Sequence, residues 1–152
     1  MKILKALHKD AILTDLTSQD KDGIIRELAA PVARIAGVDF QELVGVLMER
    51  ERLGSTGIGM GIAIPHGKIN GIDSLVMGFG IHRKGVDFDT LDGRPARLFF
   101  LLVTPENFSG LHLQALARIA RMLKNEMFKN KLLQARTPDD VIAIIQPEDE
   151  EF

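Results

Sequence analysis

The chain has 152 residues, 45% of them hydrophobic and 26% charged, with a formal charge of −2 and no cysteine. That length fits one domain able to bury roughly 68–70% of its unfolded surface, so no disulfide or metal is needed to complete a core. The charge balance carries no nucleic-acid footprint, and the missing cysteines exclude disulfides, thiolate chemistry and cysteine-based zinc sites while fitting a reducing compartment.

Residues 1–9 are too interrupted by lysine to be a signal peptide, and no apolar run approaches the roughly 18 residues of a membrane span, so the chain reads as cytoplasmic. Ile24, Leu28, Val32 and Ile35 fall on one helical stripe and predict a helix over 21–36, with Gly37 as its stop and Pro31 as a potential kink. Asp39 with Glu42 makes a capping box for a second helix. Phe40, Leu43, Val44 and Leu47 face inward along it, and it ends at Gly54. Strand-like runs follow over 61–64, 75–82 and 98–103. The last is apolar on both faces and reads as a central, doubly covered strand.

Between the second and third runs, 86–95 is a polar, turn-rich connection suited to an edge hairpin. Ser109 can cap a helix carrying Leu113, Leu116, Ile119, Ala120 and Leu123, and 127–135 suggests another. Thr137 followed by Pro138 is a strong helix start, with proline at the first helical position. The acidic end reads as a solvated tail. The domain therefore spans 1–147, with an acidic tail at 148–152. The expected class is α/β, a sheet sandwiched between helices.

The densest chemistry lies in Gly54-Ser-Thr-Gly-Ile-Gly-Met-Gly-Ile-Ala-Ile-Pro-His-Gly-Lys68. It is not a phosphate-binding P-loop, because Gly61 is followed by His66 and not by Gly-Lys-Ser/Thr, and it lacks the third glycine of the dinucleotide fingerprint. No metal-ligand spacing and no Gly-x-Ser-x-Gly elbow occurs. His66, between Pro65 and Gly67, is held by the chain and open to a visitor. His112 falls in the first turn of the helix that begins near Ser109, where backbone N–H groups and the dipole favour an anion. Its blander reading is an ordinary, partly buried helical side chain.

His8 reads as solvated and His82 as a surface residue. Arg50 closes the helix that feeds the loop and can bind phosphate oxygens with two N–H groups. Its neighbours Glu49, Glu51 and Arg52 read as a solvated helix end.

The stretch from Arg50 through Lys68 resembles the active-site signature of the enzyme IIA domains of the fructose/mannitol class of the bacterial phosphoenolpyruvate-dependent phosphotransferase system. Within that class it is most similar to the nitrogen-regulatory branch. The likeness extends to Leu98-Phe-Phe-Leu-Leu-Val-Thr-Pro105 and Leu111-His-Leu-Gln-Ala-Leu-Ala117. The resemblance implies a mixed, about five-stranded sheet flanked by helices. It places the phosphorylated histidine on His66, its supporting arginine on Arg50 and the second active-site histidine on His112. It also implies a donor, the histidine-containing phosphocarrier protein. Met60 departs from the pattern, since the nitrogen-regulatory branch usually carries Asn there.

The implied chemistry is in-line transfer between two histidines, with no metal, nucleotide or other cofactor. The attacking ring nitrogen must be unprotonated, so a hydrogen bond from the other nitrogen, most often to a backbone carbonyl, has to fix the tautomer. Ser55, Thr56 and the N–H groups of the glycine loop, Gly57 among them, are candidate phosphate contacts; turn capping explains the two hydroxyls about as well. Met60, Ile58 and Phe108 are candidates for an apolar docking patch around the site.

Because the chain carries one domain and no IIB cysteine, the favoured reading is a regulator acting through protein partners, its surface charge altered by phosphorylation. The alternatives are a separately encoded IIA subunit passing phosphate to a IIB domain, and a non-catalytic binding module of the same fold. Intact Arg50, His66 and His112 argue against the module. A phosphohistidine hydrolase would need a water-activating group that the motif does not supply.

Overall fold

The computed structural model describes residues 2–107 and 109–150. A single turn, α1 (Ile3–Ala6), leads into strand β1 (Leu7–Leu13). Helix α2 (Lys21–Ala36) begins where the Asp20 carboxylate accepts from the Gly23 N–H at 2.8 Å, runs through Pro31, and stops at Gly37 in the left-handed conformation. Helix α3 (Phe40–Leu53) begins at Asp39, which accepts from the Glu42 N–H at 2.9 Å. Both spans are those the hydrophobic stripe and capping signals predict.

The glycine-rich run then folds into three short strands, β2 (Gly57–Gly59), β3 (Ile62–Ala63) and β4 (His66–Ile69). Two long strands follow, β5 (Val76–Val86) and β6 (Ala96–Pro105). Three helices close the chain: α4 (Ser109–Leu123), α5 (Glu126–Gln134) and α6 (Pro138–Glu150). Helix α6 starts with a reciprocal cap, in which the Thr137 hydroxyl accepts from the Asp140 N–H and the Asp140 carboxylate from the Thr137 N–H.

The mixed sheet has six strands, in the order β1-β5-β6-β3-β2, with β4 also paired to β6. Strands β3 and β4 run parallel to β6 and β5 runs antiparallel to it. The apolar run in β6 has the expected cause. Leu98, Phe100 and Leu102 pack on one face with α1, α4, α5 and α6, while Phe99, Leu101 and Val103 pack on the other with α2 and α3. With two alternating sides both covered, the strand has no position for a polar residue between Arg97 and Thr104.

Four sequence expectations need correction. The connection over 86–95 closes a hairpin in the middle of the sheet, since β5 is flanked by β1 and β6, and it folds back over the glycine run. There Leu91 N–H donates to the Gly57 carbonyl at 3.2 Å, and Met60 N–H to the Asp92 carboxylate at 2.8 Å. Strand β1 has no counterpart in the sequence reading, because the polar His8-Lys9-Asp10 breaks its alternation; its register with β5 shifts between Leu7 and Ile12.

His82 is buried, its Nδ1 accepting from the Gly85 N–H at 2.9 Å. Asp149, placed in a solvated tail, is only 2% exposed. Helix α6 continues past it to Glu150, and its carboxylate accepts from the Ile3 and Leu4 N–H groups and from Arg118, tying the two ends of the chain together. Among the described residues no helix is long and apolar enough to cross a membrane.

Candidate functional site

Three elements converge on His66. It opens β4, opposite Leu102 of β6. The ladder along this edge is interrupted at Pro65, which has no N–H to donate, and the Ile64 carbonyl turns to the imidazole. His66 Nδ1 lies 2.7 Å from the Ile64 oxygen. A carbonyl only accepts, so Nδ1 carries the proton and Nε2 presents its lone pair. That tautomer leaves Nε2 as the nucleophilic nitrogen of the ring.

The residue after His66 explains how helix α3 reaches the site. A Cβ on Gly67 would sit 2.7 Å from Val46 Cγ1 of α3. Only glycine lets the helix lie this close to β4, and that approach brings the last turn of α3, with Arg50, beside the histidine. Arg50 Nη1 donates to the Gly54 carbonyl at 2.7 Å, which fixes the guanidinium at the helix end where carbonyls lack partners. The charge of Arg50 bears on both His66 and His112.

His112 comes from the first turns of α4. Its ring centroid is 5.0 Å from that of His66, with the planes at 60°. It is buried, and its Nδ1 lies 2.9 Å from the hydroxyl of Thr104, a fully buried residue on β6. Burial first, then the positive charges of His66, Lys68 and Arg50, push the His112 pKa down to about 4. His66 is also lowered, chiefly by burial and further by Arg50; its hydrogen bond to Ile64 and the Glu51 carboxylate pull the other way. Both rings are therefore neutral at pH 7, and His112 can offer an N–H but not a full positive charge.

The structure thus brings together His66, His112 and Arg50. The expected phosphate contacts are engaged with other partners here. The Ser55 hydroxyl donates to the Phe88 carbonyl at 2.5 Å and accepts from the Gly57 N–H at 3.0 Å, so two of the three candidate donors satisfy each other and the neighbouring loop. The third, the Thr56 hydroxyl, donates to Glu51. These residues cap the turn, the plainer of their two readings.

The docking patch also moves. In register, Ile62 lies opposite Leu98 and His66 opposite Leu102. Four residues at roughly 3.3 Å each put Ile62, which follows the Met60 turn, about 13 Å along the sheet from His66. Phe108 lies outside the described residues.

Two side chains of the site were not singled out from sequence. Thr104 carried a weak signal, a hydroxyl ending an otherwise apolar strand. Glu51 had been read as a solvated helix end and is instead 7% exposed. Its carboxylate accepts from the Thr56 N–H at 3.1 Å, from the Thr56 hydroxyl and from Lys21 Nζ at 3.1 Å.

Comparisons with known proteins show the family and the fold. A family model described as "Phosphoenolpyruvate-dependent sugar phosphotransferase system, EIIA 2" matches residues 5–147. The chain is 37% identical over 145 residues to a nitrogen regulatory protein of Bradyrhizobium diazoefficiens, covering 95% of both chains. It is 36% identical over 150 residues to the fructose-specific EIIABC component of Bacillus subtilis, covering 98% of this chain and 24% of that longer one. The crystal structure of nitrogen regulatory protein IIA-Ntr from Neisseria meningitidis superposes with a TM-score of 0.88 at 32% identity, over 93% of this chain and 97% of that one. The chain belongs to the EIIA 2 family of the phosphoenolpyruvate-dependent sugar phosphotransferase system, and phosphoryl transfer is its general reaction.

Proposed function

We propose that this protein is a phosphohistidine carrier that accepts a phosphoryl group on Nε2 of His66 from the histidine-containing phosphocarrier protein. The observation that carries the reading is the 2.7 Å contact between His66 Nδ1 and the Ile64 carbonyl, which leaves the other nitrogen unprotonated in a half-buried site. In the transfer, the Nε2 lone pair forms a new N–P bond as the N–P bond of the donor phosphohistidine breaks. The bonding pair returns to the donor imidazole, and the Nδ1 proton stays against Ile64.

The protein's task is then to hold the charge on the phosphoryl oxygens. Arg50 supplies N–H groups not used on Gly54. In this reading the Thr104 hydroxyl donates to His112 Nδ1, and the ring proton on Nε2 is the neutral N–H that His112 supplies. Leu113, next to His112, and Leu53, three residues after Arg50, are exposed apolar side chains, and in this reading they meet the donor.

Downstream, likeness to nitrogen regulatory proteins supports a regulator whose phosphorylation state controls its protein partners. The Bacillus subtilis relative supports a second reading, delivery of phosphate to a fructose-type IIB domain. Incubation of the chain with phosphoenolpyruvate, enzyme I and the phosphocarrier should give acid-labile label on the wild type and none on His66→Ala. An unlabelled wild type sinks the carrier reading. Loss of label to an added IIB domain, against differential capture of partners by the two phosphorylation states, separates transport from regulation.

A further inference from the structure

Glu51 is an odd residue to find where it is. A carboxylate in the last turn of a helix sits at the negative end of the macrodipole, where an anion is disfavoured. This one is also buried, so it persists only through its partners. Lys21 of α2 supplies the charge: its Nζ lies 3.1 Å from Glu51 and 3.3 Å from the exposed Asp89, and its stem crosses the Phe88 ring, with Nζ 4.8 Å from the centroid. The rest of the Glu51 carboxylate is used on Thr56, on both its N–H and its hydroxyl.

Thr56 leads onward to the reactive ring. Its carbonyl accepts from the Ile64 N–H at 3.0 Å, and the Ile64 carbonyl accepts from His66 Nδ1 at 2.7 Å. Three successive links therefore run from a buried ion pair to the imidazole. The same loop holds the Gly54 carbonyl that anchors Arg50. Helix packing alone asks for none of this, since an apolar residue would fill the Glu51 site without desolvating a charge.

We propose that Glu51, neutralised by Lys21, is a positioning residue for His66: by clamping Thr56 it sets the Ile64 carbonyl that selects the reactive tautomer. The inference rests on His66 being the phosphoryl acceptor, but its first readout does not need phosphate. In long-range 1H–15N spectra of the unphosphorylated protein at neutral pH, wild-type His66 should show a single tautomer protonated on Nδ1. Glu51→Gln, close to isosteric but unable to balance Lys21 or to accept from both Thr56 groups, should populate both tautomers. Its initial rate of phosphoryl uptake should fall on the order of 10- to 100-fold, the scale of a displaced reacting group. Thr56→Val, which keeps the N–H link and removes the hydroxyl, should fall between.

A folded Glu51→Gln protein with wild-type ring signals overturns the proposal, whether or not its uptake rate changes, because a slower rate alone would be ordinary loop damage. Should Glu51→Gln fail to fold, Lys21→Met, which keeps the stem over Phe88, decides by the same two measurements. If the wild type takes up no phosphoryl group at all, the acceptor reading fails on its own, and the ring signals still decide whether Glu51 sets the tautomer.

Discussion

The two ends of the glycine-rich run are built from similar residues and do different work. At the His66 end, contacts converge from α3, β6 and α4, and all of them constrain one imidazole: Ile64 fixes its proton, His112 faces its ring and Arg50 adds positive charge. At the Met60 end the contacts hold backbone only. Asp92 accepts the Met60 N–H, Lys129 of α5 donates to the Met60 carbonyl at 2.9 Å, and the side chain is exposed. Glycine content alone therefore says little about chemistry. What marks the reactive end is an imidazole whose Nδ1 is fixed by a backbone carbonyl, leaving Nε2 as the lone-pair nitrogen.

If that contrast is right, substitutions at one end should change transfer and those at the other should change stability alone. The largest effects belong to the groups around His66. Arg50→Ala and His112→Ala should each leave some acceptance but slow transfer by roughly 10- to 1,000-fold, the scale for removing one preorganised donor. An unchanged rate in His112→Ala would return that residue to an ordinary core histidine. Its neutrality also makes a pH prediction. The His112 pKa is near 6.5 in the unfolded chain and about 4 in the folded one. The unfolded state then binds more protons between those values, so stability should fall as pH drops from 6.5 to 4. His112→Ala should flatten that slope in denaturant titrations.

Next in size is the glycine that brings α3 to the site. In Gly67→Ala the new Cβ meets Val46 Cγ1 at 2.7 Å. A valine in a helix is held to one χ1 rotamer, so the helix or the strand must move. Destabilisation of about 1–3 kcal/mol is expected, together with slower uptake, because the helix that shifts carries Arg50. Thermal unfolding and label incorporation measure the two effects separately. Stability lost with wild-type uptake would mean that the site does not depend on how closely α3 approaches.

These residues also show what sequence could reveal. Helices α2 and α3 were legible because stripe and cap are local signals, and His66, Arg50 and His112 because the motif that resembles the family spans them. Thr104 and Glu51 were not. Each is polar where its local pattern is bland, and each gains its role from partners eight and thirty residues away. The partners of the Ser55 and Thr56 hydroxyls were hidden for the same reason. A hydroxyl in a glycine loop suits a phosphate, yet the loop over 86–95 and the end of α3 reach those hydroxyls first. Asp149 looked like part of an acidic tail until Arg118 and the first turn of the chain closed around it. Local chemistry was readable, and competition between distant partners was not.

The smallest effect tests the quiet end. Met60 has φ +56°, in the left-handed region, where an ordinary side chain is strained by roughly 1–2 kcal/mol and asparagine or glycine is tolerated. Both its backbone hydrogen bonds use main-chain atoms, so any residue but proline keeps them at this position. Met60→Asn should therefore stabilise the fold by about 0.5–1 kcal/mol, raising the melting temperature by roughly 1–4 °C in a chain of this size. Phosphoryl uptake should not change, because even Ile62, which follows the turn, is about 13 Å along the sheet from His66. A change in uptake rate without a change in stability would show that the turn meets the phosphoryl donor, and the two ends of the run would then form a single functional surface.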